Sequence, residues 1–310
     1  DPTEPIILPF PVGYQEIGGG GRALYMIQEL HDLYDIEIIG LGLPKEFVYG
    51  GLCIKSSTYV PTSRGVIQIG QAAPTDEKRT RELDGSLQVA TQDGRRAASH
   101  SHNVGKKRPL HLRTRSGFEL SAAASHPVWV LDRDLRLTYR NLQDLRVGDY
   151  VVRVHGSDVW AVEPAVLPQV SVPTSGPPRV PVRLPTEMTE DLALVLGCLT
   201  AEGCIDKERV RFGNTDKVYL DTYCEALTRV FGLDVCVYEA PQSSGKIFYE
   251  ATVWSRTLSE FLIRLGAGGR SHEKEIPWAV LESPKSVVST FLRGYYEGDG
   301  SICLKPSGAG

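Results

Sequence analysis

Two nine-residue stretches, Val195–Gly203 and Leu292–Gly300, share one layout: small residues four apart, Gly197 with Ala201 and Gly294 with Gly298, followed by an acidic residue and a glycine. Residues four apart lie on one face of a helix, so each stretch predicts a helix with a small-residue stripe along which a second helix can approach closely. Glu202 and Asp299 then end those helices side by side, with Gly203 and Gly300 expected as left-handed caps. Paired carboxylates suit a hard divalent cation, with Mg²⁺ the expected ion. Between the two stretches, Lys207, Arg209 and Arg211 alternate with Val210 and Phe212. In a strand over 206–212 the three cations project from one face and the apolar pair from the other. A basic sheet face of this kind suits a DNA groove; an ordinary solvated face is the alternative.

The elements that must position these residues follow from periodicity. Leu192, Val195, Leu196 and Leu199 repeat at helical spacing behind Thr189 or Thr186 as cap. A strand at 209–212, a helix around 219–231, a strand at 248–254 and helices around 257–265 and 286–297 complete an α+β domain over 187–310. Upstream the texture is β. Thr58–Val60, Val66–Ile69, Leu110–Leu112, Phe118–Leu120, Val128–Val130 and Tyr150–Val152 are short apolar or alternating runs bounded by turn residues, which predict a compact all-β module over 53–163. Within it, the polar segment 74–108 reads as a long solvated loop. Seven prolines between 164 and 186 predict an extended linker. Residues 1–52, with one expected helix from Ala23 to about Tyr34 and one short strand at 36–39, make a fragment and not a domain.

Composition narrows the function classes. The 310 residues are 41% hydrophobic and 23% charged, and no apolar run reaches the roughly 18 residues of a membrane span. Six cysteines form no C-x-x-C pair, and no histidine stands at zinc-ligand spacing from two of them, so reduced thiols in a cytoplasmic protein are the expectation. Residues 186–310 hold thirteen Lys/Arg against eighteen Asp/Glu, so charge alone does not imply nucleic acid and residue placement must carry that reading.

Cys53–Val60 with Gly65–Ile69 behind it, then Gly117–Leu120, His126-Pro127-Val128 and Asp144–Val151, stand in the order of the splicing motifs of inteins and resemble them. The resemblance implies a HINT-type splicing fold in which the Cys53 thiol attacks the carbonyl of Leu52 to make a thioester and His126 protonates the leaving nitrogen as general acid. A buried structural thiol and a turn histidine are the alternatives. Val195–Gly203 and Leu292–Gly300 both resemble the LAGLIDADG motif of homing endonucleases, and Lys274-Glu275-Ile276-Pro277 resembles the segment before that family's second motif helix. That likeness implies a phosphodiester hydrolase with double-stranded DNA as partner, Glu202 and Asp299 as catalytic metal ligands, and Lys274 polarising water or the transition state. The extein is the splicing partner in cis, and a monomer is expected.

The resemblance covers 53–310 and is incomplete. The splicing family usually has Thr where Ala123 stands, which removes a hydrogen bond to the scissile region. His102-Asn103 mimics the terminal His-Asn of an intein but precedes His126 and is followed by Val104, a loop coincidence. The chain stops after the second motif without the later splicing histidine, the terminal His-Asn or the C-terminal nucleophile, so this chain alone is expected neither to splice nor to cut DNA efficiently. Two other classes stay open: a phage portal-like host carrying an inert relic, and a LAGLIDADG endonuclease fused to β-structure without splicing.

Overall fold

A computed structural model describes residues 34–35, 53–72, 79–91, 94–103, 105, 108–154, 159–170 and 181–301. The helix expected from Ala23, the strand at 36–39, and Leu52 lie outside these residues. Tyr34–Asp35 is a strand, paired antiparallel with Arg153–Val154. Two compact units divide between Val159 and Trp160. Among the described residues no helix is long and apolar enough to cross a membrane.

The first unit is strand-rich. Gly65–Gln68, Tyr59–Thr62, Gln88–Thr91 and Gly94–Ala97 lie in that order in one antiparallel sheet. Leu110–Arg113 pairs with Glu119–Ala122, and Pro127–Leu131 is flanked by Leu137–Asn141 and Tyr150–Val151. The apolar faces close two small cores, one around Val60, Ile67, Leu87, Val89 and Ala98, the other around Ala122, Val128 and Leu142, and Ile54 packs against both. The expected loop at 74–108 is instead largely strand: Arg79–Glu82 pairs with His100–Asn103, and Gln88–Thr91 with Gly94–Ala97. Gly94–Ala97 is exposed throughout. Leu87, Val89 and Ala98 are the buried anchors of the 74–108 segment, too few among polar residues for a hydrophobic alternation to stand out in the sequence. His102 accordingly sits in a strand, its Nδ1 2.9 Å from Thr80 Oγ1.

The second unit packs helices on one face of a four-stranded sheet ordered Gly203–Ile205, Arg209–Asn214, Ile247–Trp254, Cys236–Pro241. The Glu190–Glu202 helix is central: every residue from Leu192 to Leu199 is buried, which marks an all-round apolar helix enclosed by protein. Thr189 caps it, its side chain accepting from the Leu192 amide. The Lys217–Phe231, Arg256–Arg264, Trp278–Leu281 and Lys285–Asp299 helices surround the core. Both described parts of the expected linker belong to this unit. The Leu167 amide donates to Thr186 and the Met188 amide to Ala165, and Ala165, Leu167 and Met188 are buried in the core.

Candidate functional site

The Glu190–Glu202 and Lys285–Asp299 helices meet backbone to backbone. A Cβ added at Gly197 would stand 2.2 Å from the Phe291 carbonyl oxygen, and one at Gly294 would stand 2.8 Å from that of Leu194. One at Gly298 would reach the Ala201 Cβ at 2.6 Å and the Glu202 Cγ at 3.2 Å, so the Glu202 stem lies against the last turn of the other helix. Each helix ends on its carboxylate. Gly203 and Gly300 are not left-handed: both are extended, at φ −90° and −75°. Their glycine requirement is steric, because the departing chain folds back on its own last turn, with an added Cβ 2.5 Å from the Leu199 Cα or 2.3 Å from the Tyr296 oxygen.

Burial first, and then the charge of Asp299, raises the pKa of Glu202, while the Lys274 ammonium opposes the shift. Both helix C-termini also aim their negative dipole ends at this point. Such a site favours a cation, and oxygen donors suit a hard one. Among the described residues no group of three His, Cys, Asp or Glu converges, so an ion here would complete its shell from water and phosphate. Lys274 Nζ donates to the carbonyls of Leu199 (3.1 Å), Thr200 (3.0 Å) and Gly203 (2.8 Å). That is its whole donor capacity. Its charge faces the carboxylates while its hydrogens cap the helix, an arrangement different from an ammonium aimed at water. Burial lowers its pKa. Tyr219, which reads in sequence as an ordinary core aromatic, donates its hydroxyl to the Gly294 carbonyl at 2.5 Å and ties the two-helix seam to a third helix.

On the sheet, Val210 and Phe212 are buried in the core while Arg209 and Arg211 lie on the opposite face with Trp254 and Tyr238 exposed. Lys207 is not part of that strand: Gly203–Ile205 and Arg209–Asn214 form a hairpin, and Lys207 sits in its exposed turn, held by Asp206, whose Oδ1 accepts the amides of Glu208 and Arg209. Arg209 and Arg211 differ. Arg209 Nε donates to Asp206 Oδ2 at 2.8 Å and its guanidinium lies 5.0 Å from the Trp254 ring. Arg211 reaches Cys204 Sγ at 3.5 Å and Glu250 at 3.9 Å, with its Nε buried and unpartnered among the described residues.

In the first unit, an antiparallel bridge joins Ile54 to Ala122; the Ala123 amide donates to the Cys53 carbonyl, and the His126 amide to Ala123. Cys53 and His126 are thereby tied to one turn. His126 is 4% exposed and its Nδ1 has no partner among the described residues. Burial pushes its pKa down to about 4. At that value the imidazole is neutral near pH 7, whereas the sequence reading has it protonate the leaving nitrogen.

A family model described as "LAGLIDADG-like domain" matches residues 189–266, which contain Glu202 and the basic hairpin but end before Lys274 and Asp299. The chain is 26% identical over 246 residues to a DNA gyrase subunit of Mycobacterium gordonae, covering 77% of the chain and 40% of that protein. It is 26% identical over 216 residues to DNA-directed RNA polymerase subunit Rpo1C of Methanocaldococcus jannaschii (66% and 24%). To replication factor C small subunit of the same organism it is 23% identical over 266 residues (81% and 13%). The chain spans less than half the length of each of these relatives, and what it shares with the family model is a LAGLIDADG-like domain in its second unit.

Proposed function

We propose that the second unit is a homing endonuclease that cleaves double-stranded DNA, and that it is carried within an intein whose splicing residues lie in the first. The observation that carries this reading is the glycine-lined crossing that brings Glu202 and Asp299 together beside Lys274. These two carboxylates would hold Mg²⁺, which when bound supplies Lewis-acid polarisation of phosphate and an activated water. The protein's own part is positional. The helix seam fixes the carboxylates, Lys274 pins the end of the first helix and offsets their mutual repulsion, and Arg209 and Arg211 meet the DNA backbone and bases. The relatives favour an insert, because a gyrase, an RNA polymerase and a replication factor share no named function and each matches over a minority of its length.

For splicing, the Cys53 sulfur adds to the Leu52 carbonyl carbon and the carbon–nitrogen bond to Cys53 breaks. A thioester replaces the amide, and the thiol proton ends on the released amine. Neutral His126, with an unpaired buried nitrogen, suits relay of that proton better than its outright donation.

The purified chain, incubated for long periods with pooled random plasmids, should slowly nick or linearise DNA only with Mg²⁺. Glu202→Gln and Asp299→Asn should abolish this and Cys53→Ala should not; cleavage persisting in both carboxylate variants overturns the reading. Dithiothreitol should release the fragment ending at Leu52, visible by mass spectrometry, and Cys53→Ala should block it. Endonuclease activity without thiol cleavage would leave a fusion that does not splice.

A further inference from the structure

We propose that Arg209 reads a single guanine in the major groove, with Asp206 as its positioning residue and Trp254 as its stacking support; this rests on the DNA-cleaving role proposed above. An arginine has five N–H donors in a planar fork, and its two terminal nitrogens match the O6 and N7 acceptors of guanine. Free arginines lose that match to rotamer freedom, so a reader must be oriented in advance.

Arg209 is oriented from two sides. Its Nε is committed to Asp206 Oδ2 at 2.8 Å, which leaves Nη1 and Nη2 as its remaining donors. Asp206 is itself fixed, because its other oxygen accepts the Glu208 and Arg209 amides at 3.0 and 2.9 Å and so belongs to the hairpin turn. Trp254 is the direct cross-strand partner of Arg209, 62% exposed, with the guanidinium carbon 5.0 Å from its ring. A charge lying near an indole face is held by the ring quadrupole and kept from folding back on the protein. The neighbouring Arg211 has a different set of partners, being drawn towards Glu250 and Cys204. The hairpin that carries Arg209 is one edge of the four-stranded sheet, and strands of a sheet are a known way to enter a DNA groove.

The full chain would be used to select duplexes from a random library. The expected motif contains one guanine column that Arg209→Lys flattens while the other columns keep their preferences, because lysine keeps the charge but not the fork. On the selected duplex, replacing that guanine by 7-deazaguanine should weaken binding by the parent about tenfold and by Arg209→Lys hardly at all. Asp206→Asn keeps an oxygen for the turn amides but loses the Nε acceptor, and it should lower guanine preference at that column about fivefold with the rest of the motif intact. A motif whose columns are unchanged in Arg209→Lys overturns the assignment to Arg209. A library from which nothing is enriched overturns the DNA-binding reading itself and the assignment with it.

Discussion

Replacing Gly197 with alanine tests whether the two-helix seam is built from backbone contact. In a free helix the change would stabilise by about 1 kcal/mol, since alanine is the better helix former. Here the new methyl would lie 2.2 Å from the Phe291 carbonyl oxygen and 3.0 Å from the Tyr295 nitrogen. The first distance is about 0.8 Å inside the 3.0 Å below which real Cβ contacts essentially do not occur, and its partner is helix backbone that cannot rotate away. Overpacking costs about 1–3 kcal/mol, and a rigid partner places this site at the top of that range. The net is a loss of about 2 kcal/mol, which for a unit of this size lowers Tm by roughly 6 °C. Differential scanning calorimetry of the whole chain reads it. Gly294→Ala, with its nearest oxygen at 2.8 Å, should cost less. Gly232→Ala separates strain from contact: its φ of +67° disfavours alanine, yet nothing lies within 4 Å of the added carbon. A Gly197→Ala protein as stable as the parent, or more so, would refute close approach at this crossing.

Three further outcomes follow from the electrostatics. Unfolded His126 binds a proton below about pH 6.5 while the folded form waits until about pH 4, so its contribution is present above 6.5 and lost as pH falls through that window. Acid unfolding of the first unit should carry this slope, on the order of 3 kcal/mol in total, and His126→Asn should flatten it. Asp299→Asn removes the like charge that raises the Glu202 pKa and should therefore increase Tm without metal while abolishing the Tm rise on adding Mg²⁺; a metal-free Tm below the parent's contradicts this. Lys274→Met takes one donor from each of three half-buried carbonyls, of which that of Leu199 keeps the Gly203 amide, and should destabilise the second unit by about 2 kcal/mol in urea unfolding, more than the same change at the exposed Lys246 would.

Legibility in the sequence tracked hydrophobic period. The Lys217–Phe231 and Arg256–Arg264 helices are legible because their buried faces repeat at helical spacing, and the Glu190–Glu202 helix because of its apolar run behind the Thr189 cap; the short Trp278–Leu281 helix is not. Cys236–Pro241 was not, being an exposed edge strand whose pairing with Ile247–Trp254 is a backbone matter. The same holds for the polar hairpins between 79 and 103. The stripe of small residues announces a close helix crossing, yet the glycines after the carboxylates read in sequence as left-handed caps and are extended instead, since sequence does not distinguish a positive φ from a lack of room. Lys207 was misplaced by extending a two-residue alternation across a turn that Asp206 makes. The enclosure of His126 is not legible in the sequence, because burial is a tertiary property.

The extended Gly203 has a metric consequence. The chain passes from Glu202, at the last position of its helix, straight into the strand that becomes the hairpin, and Asp206 is level with Arg209. Four residues of strand span about 13 Å at 3.3 Å each, which is about four base-pair steps of B-DNA. Under the proposed function, the hairpin is thus a ruler with one end soldered to Glu202. On that proposal, exchanging side chains along it would change which sequence is read, but the offset from Glu202 is set by the backbone and survives every such exchange.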